Sequence, residues 1–149
     1  MIHLQIDEPY QSLVPESLFE QAAQAALDHQ TAPPGSGMTV VLTGDETLHD
    51  LNQRFMGIDA PTDVLSFPSG ELDPETGDVY LGDILISYPR AESQALQGGH
   101  PITAEFQLLT VHGTLHLLGH DHAHEEEKSR MWATQAEILK AIGCPITDY

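Results

Sequence analysis

The stretch from Ile102 to Leu118 constrains the fold more than any other part of the chain. It is almost continuously apolar, contains no proline and one glycine, and is too long for a single strand. A helix with apolar residues on every side must be wrapped by other elements. The stretch therefore predicts a central, buried helix, which Gly119 is suited to end as a residue just past its C-terminus.

That helix carries histidines. His112 and His116 are four residues apart, so their side chains leave the same face one turn of about 5.4 Å apart. Gly119 lets the backbone turn sharply, and three residues later His122 can return to the same point. Three imidazoles around one ion leave a fourth position open. Core histidines satisfied by ordinary hydrogen bonds are the plain alternative, but burying several imidazoles without a partner is costly, and the spacing favours a metal. Ligand type points to one zinc ion, although nickel, copper or iron also bind imidazole. A closed structural site completed by His120, Asp121 or His124 is the next alternative. Neighbouring residues seldom reach one ion together, which favours an open, catalytic site with His120 and His124 facing solvent.

The intervals of His112, His116, Gly119 and His122 equal those of the zinc-protease pattern HExxHxxGxxH. The glutamate of that pattern takes a proton from water and passes it to the leaving amine. Gly113 occupies its place and can do neither. The ligand set without its protease base suits a phosphodiester, whose non-bridging oxygens can sit on the ion.

The rest of the chain supplies the layers around this helix. Residues 2–6, 38–43, 64–67 and 79–87 are strand-like, with turns at Pro61 and Pro68 and a polar loop over ELDPETGD. Helices are expected in ESLFEQAAQAALDHQ, with Leu18, Ala22, Ala25 and Ala26 on one side. Another is expected from a Thr43/Glu46 capping box to Met56, and a third in HEEEKSRMWATQAEILKAIG up to Gly143. The expectation is a single-domain α+β fold of about four mixed strands packed with helices, over all 149 residues. Cys144 is the only cysteine, so neither an internal disulfide nor a cysteine-rich zinc ribbon is possible. With no basic leader and no segment approaching about 20 apolar residues, a soluble cytoplasmic protein is expected, with no membrane partner. Five Lys and Arg against 23 Asp and Glu give a formal charge of −18, which repels nucleic acid over most of the surface. Binding to RNA then needs positive potential along the contact path alone, and a divalent ion supplies some.

HGTLHLLGHDH, with PTDVLSFP at 61–68 and LGDILIS at 81–87, resembles the YbeY family of endoribonucleases. The order and spacing of the three blocks match, as does a closing helix with Met131, Glu137, Ile138 and Leu139. The resemblance implies zinc ligands at His112, His116 and His122. It also implies an α+β fold with a mixed sheet beside the zinc-bearing helix. The implied activity is metal-dependent cleavage of single-stranded RNA, in maturation of the 16S rRNA 3′ end and in ribosome quality control, in the bacterial cytoplasm. Partners would be rRNA and the ribosome or its small subunit.

Two positions depart from that pattern. His120 stands where the family usually has tyrosine, and Met56 where it typically has an arginine expected to pair with phosphate in the RNA groove. Arg54 can replace that arginine only if the helix has ended first, because two residues on a helix turn about 200°. In PTDVLSFP, Thr62, Asp63 and Ser66 are the groove candidates, though Thr62 and Asp63 could equally cap local backbone. Asp83, interrupting a strand, is expected to accept a hydrogen bond from a zinc histidine. Two other readings compete: a ribosome-associated assembly factor with a structural metal, favoured by Met56 and the charge, and a zinc peptidase, disfavoured by Gly113.

Overall fold

The computed structural model describes residues 1–146. Four strands form one mixed sheet: β1 (Ile2–Ile6), β2 (Gly37–Thr43), β3 (Val64–Leu72) and β4 (Val79–Ser87), in the order β1-β2-β4-β3. β1, β2 and β4 run parallel, and β3 pairs antiparallel with β4. A crossover helix, α1 (Glu16–His29), joins β1 to β2, as a parallel pair requires. Alternation is clear in β2, where Met38, Val40 and Leu42 are buried on one face.

The apolar run forms α4 (Ile102–Leu117), which lies between two cores. Toward the sheet, Phe106 and Leu109 pack with Phe19, Leu42, Ile84 and Ile86. On its other side, Val111 and Leu115 pack with Ala22 and Ala26 of α1 and with Met131, Ile138 and Leu139 of α5 (Glu125–Ala141). Each fully buried side chain of this size contributes about 1.5–3 kcal/mol, so burial on two sides holds the helix in place, and His112 and His116 are left only partly buried on it. No helix among the described residues is long and apolar enough to cross a membrane.

At Gly113 α4 packs directly against Ile84 of β4. A Cβ there would lie 2.9 Å from Ile84 Cγ2 and 3.2 Å from Ile84 Cβ. The absent glutamate is thus a packing requirement: any side chain at 113 points into the sheet.

Three details differ from the sequence reading. A helix over Tyr88–Gly98, α3, was not anticipated, although Ser87 caps it by accepting from the Arg90 amide at 3.3 Å, Pro89 sits in its first turn and Gly99 ends it with φ +69°. β3 passes through Pro68 instead of stopping, because a register shift between Pro68 and Glu71 absorbs the missing donor at this edge strand. The Thr43/Glu46 box does not form. Gly44 is the N-cap of α2 (Asp45–Leu51), and the Thr43 hydroxyl donates to Asp7 Oδ2 at 2.6 Å. α2 then widens into a π-helical turn over Asn52–Met56, closed by Gly57 at φ +71°.

Candidate metal centre

His112 and His116 leave the last turns of α4 side by side. The helix ends in a left-handed Gly119 (φ +98°), with the Gly119 amide donating to His116 O at 3.1 Å and the His120 amide to Leu115 O at 3.0 Å. That reversal brings His122 back, and its amide is held by Asp121 Oδ1 at 2.7 Å. One ring nitrogen from each of the three histidines lies within 4.8 Å of the others. Trp132 of α5 presents its ring edge-on to both His112 and His122, with centroids 5.8 and 5.6 Å away.

The tautomers follow from the partners. His116 Nδ1 faces the carbonyl oxygen of His120 at 2.9 Å, so it donates. His112 Nδ1 faces Gln135 Oε1 at 3.0 Å and does the same. Each neutral ring is then left with a bare Nε2, and these two lone pairs face each other at 3.2 Å. Burial first, and the neighbouring His116 second, push the pKa of His112 down to about 4; His116 is lowered by burial and by His122. Unprotonated Nε2 atoms converging at this distance repel one another unless a cation lies between them, and the donor set fits a zinc-like ion.

The histidines form one wall of an open groove of about 690 Å³. Its other wall is Thr62 and Asp63, which lead into β3, and Val64 and Ser66 at the start of that strand, with Met56 also lining the groove. Asp63 is a local anchor, with Oδ1 accepting from the Val64 amide at 2.8 Å and Oδ2 from Gln94 Nε2 at 3.3 Å. Thr62 donates to Asp63 at 3.3 Å, and Ser66 Oγ donates to Gly113 O at 3.2 Å. The sequence candidates Thr62, Asp63 and Ser66 are therefore brought together with His112, His116 and His122.

Arg54 and Asp83 are not brought there. Arg54 pairs with Asp50 one helical turn back, Nη1 to Oδ2 at 3.2 Å, because the helical path continues through Met56 and the two residues point apart. Met56 reaches the groove instead. Asp83 lies on the face of β4 opposite Ile84, away from α4, and accepts from the Tyr80 hydroxyl. The acceptors on the histidines are Gln135 and the His120 carbonyl, neither of which the sequence reading named. His120 is also not solvent-facing: it is half-buried, and its Nε2 meets Gln30 Oε1 at 2.6 Å.

The family described as Endoribonuclease YbeY matches residues 4–143, which include the whole histidine cluster and both groove walls. The chain belongs to the YbeY family. A YbeY endoribonuclease of Roseiflexus sp. (strain RS-1) is 39% identical over 148 residues, covering 95% of this chain and 92% of its own length. One from Chloroflexus aurantiacus is 42% identical over 150 residues, covering 97% and 96%. The solution structure of TM1509 from Thermotoga maritima superimposes with a TM-score of 0.58 at 27% identity, covering 99% of this chain and 97% of that one. The YbeY match is thus a match of fold and sequence over nearly the whole chain. Within it, this member's groove carries no lysine or arginine among its described lining residues, and two aspartates, Asp63 and Asp121.

Proposed function

We propose that this YbeY-family chain is a zinc-dependent endoribonuclease specific for single-stranded RNA, acting on rRNA at the small ribosomal subunit, in 16S 3′-end maturation and ribosome quality control in the bacterial cytoplasm. The observation that carries this reading is the convergence of three imidazole nitrogens within 4.8 Å on the wall of an open groove. His112, His116 and His122 would hold one ion, which when bound supplies a Lewis acid and the positive charge that the groove otherwise lacks. The two α4 imidazoles offer Nε2 because Gln135 and the His120 carbonyl take up their Nδ1 protons. Thr62 and Ser66, which line the same groove, would contact the sugar-phosphate backbone. Gly113 leaves no carboxylate beside the histidines to act as a protease base, which disfavours a peptidase. Single-strand preference follows from geometry: in-line attack by water or a 2′-hydroxyl needs a backbone free to rotate, and a duplex restricts it.

The test is cleavage of a labelled single-stranded RNA and its duplex by zinc-loaded, nuclease-free protein. Cleavage of the single strand that His116→Ala abolishes supports the reading; equal activity in the variant, or none in the wild type, overturns it. A second reading, an assembly factor with a structural metal, is favoured by the cation-free groove and the −18 charge. Chelation separates the two. A structural ion, when stripped, lowers the melting temperature strongly, whereas a catalytic one abolishes cleavage with the fold retained.

A further inference from the structure

The bond from His120 to Gln30 is one link of a longer series. On its other side the same amide donates from Gln30 Nε2 to His29 Nδ1 at 2.9 Å, and His29 Nε2 meets Glu137 Oε2 of α5 at 2.8 Å. The directions are set from the Glu137 end. A carboxylate only accepts, so His29 donates from Nε2; its Nδ1 accepts from the Gln30 NH2 group, and the Gln30 oxygen is left to accept from His120 Nε2 at 2.6 Å. Each contact has one donor and one acceptor. With the Gln30 amide turned the other way, a neutral His29 would need its proton on Nδ1, and its bare Nε2 would then face the Glu137 carboxylate. The backbone beside Gln30 is also unusual. Thr31 lies at φ +49°, the one positive φ outside glycine among the described residues, and its hydroxyl donates to Gln30 O at 2.7 Å. A β-branched residue is strained there, and strain persists where the surroundings hold it.

We propose that Glu137 and His29 are positioning residues for the metal centre: through the Gln30 amide they hold His120 as a donor, and so fix the turn whose carbonyl orients His116 and which delivers His122. The inference rests on the reading of the three histidines as metal ligands. Neither Glu137 nor His29 lines the histidine groove, so their effect passes through hydrogen bonds alone. His120 is the member with a choice to make. Burial first, and the nearby charge of Arg130 second, lower its pKa, so at neutral pH it is an uncharged ring with two tautomers open to it. A Gln30 oxygen facing Nε2 selects the form with the proton on that nitrogen. A Gln30 amide free to turn would offer its NH2 group half of the time and select the other form. The carboxylate on α5 removes that freedom from two residues away, and the His120 backbone, whose oxygen accepts from His116 Nδ1 at 2.9 Å, is tied to α1 as a result.

Two readouts on the zinc-loaded whole chain test this: zinc affinity by competition with a chromophoric chelator, and the ring-nitrogen NMR shifts of His120, which report the nitrogen that carries the proton. Both outer side chains are exposed, so the expected losses are small. Glu137→Ala and His29→Ala should each weaken zinc binding about two- to fivefold and turn His120 from a single form, protonated on Nε2, into a mixture of tautomers. Glu137→Gln keeps an oxygen that accepts from His29 Nε2 and should restore both readouts. Adding Glu137→Ala to Gln30→Ala should cost nothing further, because the path is already cut. Unchanged affinity or unchanged His120 shifts in the two alanine variants overturns the positioning role while leaving the metal site intact. So does a Glu137→Ala loss that Glu137→Gln fails to restore, or one that persists in the Gln30→Ala background. Wild-type protein that takes up no zinc, or uptake that His116→Ala leaves unchanged, overturns the metal-site reading as well.

Discussion

Gln135 of α5 reaches across to His112 of α4 and holds its Nδ1 at 3.0 Å from the amide oxygen. The two residues, 23 apart in sequence, join α4 to α5 and fix which nitrogen of His112 faces the cluster. Gln135 is 1% exposed, so water cannot replace it. Gln135→Leu should therefore lower zinc affinity about 10- to 100-fold, measured by competition with a chromophoric chelator. Gln135→Glu keeps an acceptor in place and should retain affinity. Equal affinity in all three proteins would show that the contact does not orient the ligand.

Gly113 carries the second expectation. An added Cβ gains helix propensity of about 0.5–1 kcal/mol, but it meets Ile84 Cγ2 at 2.9 Å, beside the Cβ of that fully buried side chain. Overpacking of this kind costs about 1–3 kcal/mol, so the clash wins and Gly113→Ala should be less stable. Urea denaturation measures it. Adding Ile84→Val removes a methyl from the contact region and should recover part of the loss; a Gly113→Ala protein more stable than wild type would refute the packing account.

The same residue shows what was legible in sequence and what was not. The intervals of His112, His116, Gly119 and His122 are local properties of a helix and one turn, and the structure brings their nitrogens together as the spacing implied. The existence of the four strands was likewise within reach of alternation and turn residues, whereas their mixed pairing was implied by the family resemblance and their order appears only in the structure. Gln135, by contrast, is an ordinary polar residue on an amphipathic helix until tertiary packing places it against His112. Asp83 misled for the same reason: an acid in a strand has two faces to choose from, and only the packing of α4 on Ile84 decides which one looks at the site. α3 was a different failure, since Ser87, Pro89 and Gly99 mark its ends in the sequence.

The depressed pKa of His112 gives a pH dependence for the metal-free protein. An unfolded histidine takes up a proton near pH 6.5, whereas folded His112 resists it down to about 4. Between these values the unfolded chain binds more protons, so stability is full above about pH 6.5 and falls as the pH drops through about 4. The full loss is about 3 kcal/mol, to which His116 adds in the same direction. Urea midpoints in chelator across this range should decline for wild type and decline less for His112→Gln. Parallel profiles would assign the decline to other groups.

His120 ties the turn between His116 and His122 to the C-terminal end of α1. Its Nε2 meets Gln30 Oε1 at 2.6 Å, and its carbonyl accepts from His116 Nδ1 at 2.9 Å. The side-chain bond thus restrains the backbone that orients His116 and, two residues on, delivers His122. Loss of one such hydrogen bond costs about 1 kcal/mol. If that cost falls on loop order, Gln30→Ala and His120→Ala should each lower zinc affinity several-fold. Because both remove the same bond, the double variant should lose no more than either single one. Chelator competition on the four proteins reads this cycle directly. Additive losses would mean that the two side chains act through separate contacts, and unchanged affinity would mean that Gly119 and Asp121 alone suffice to set the turn.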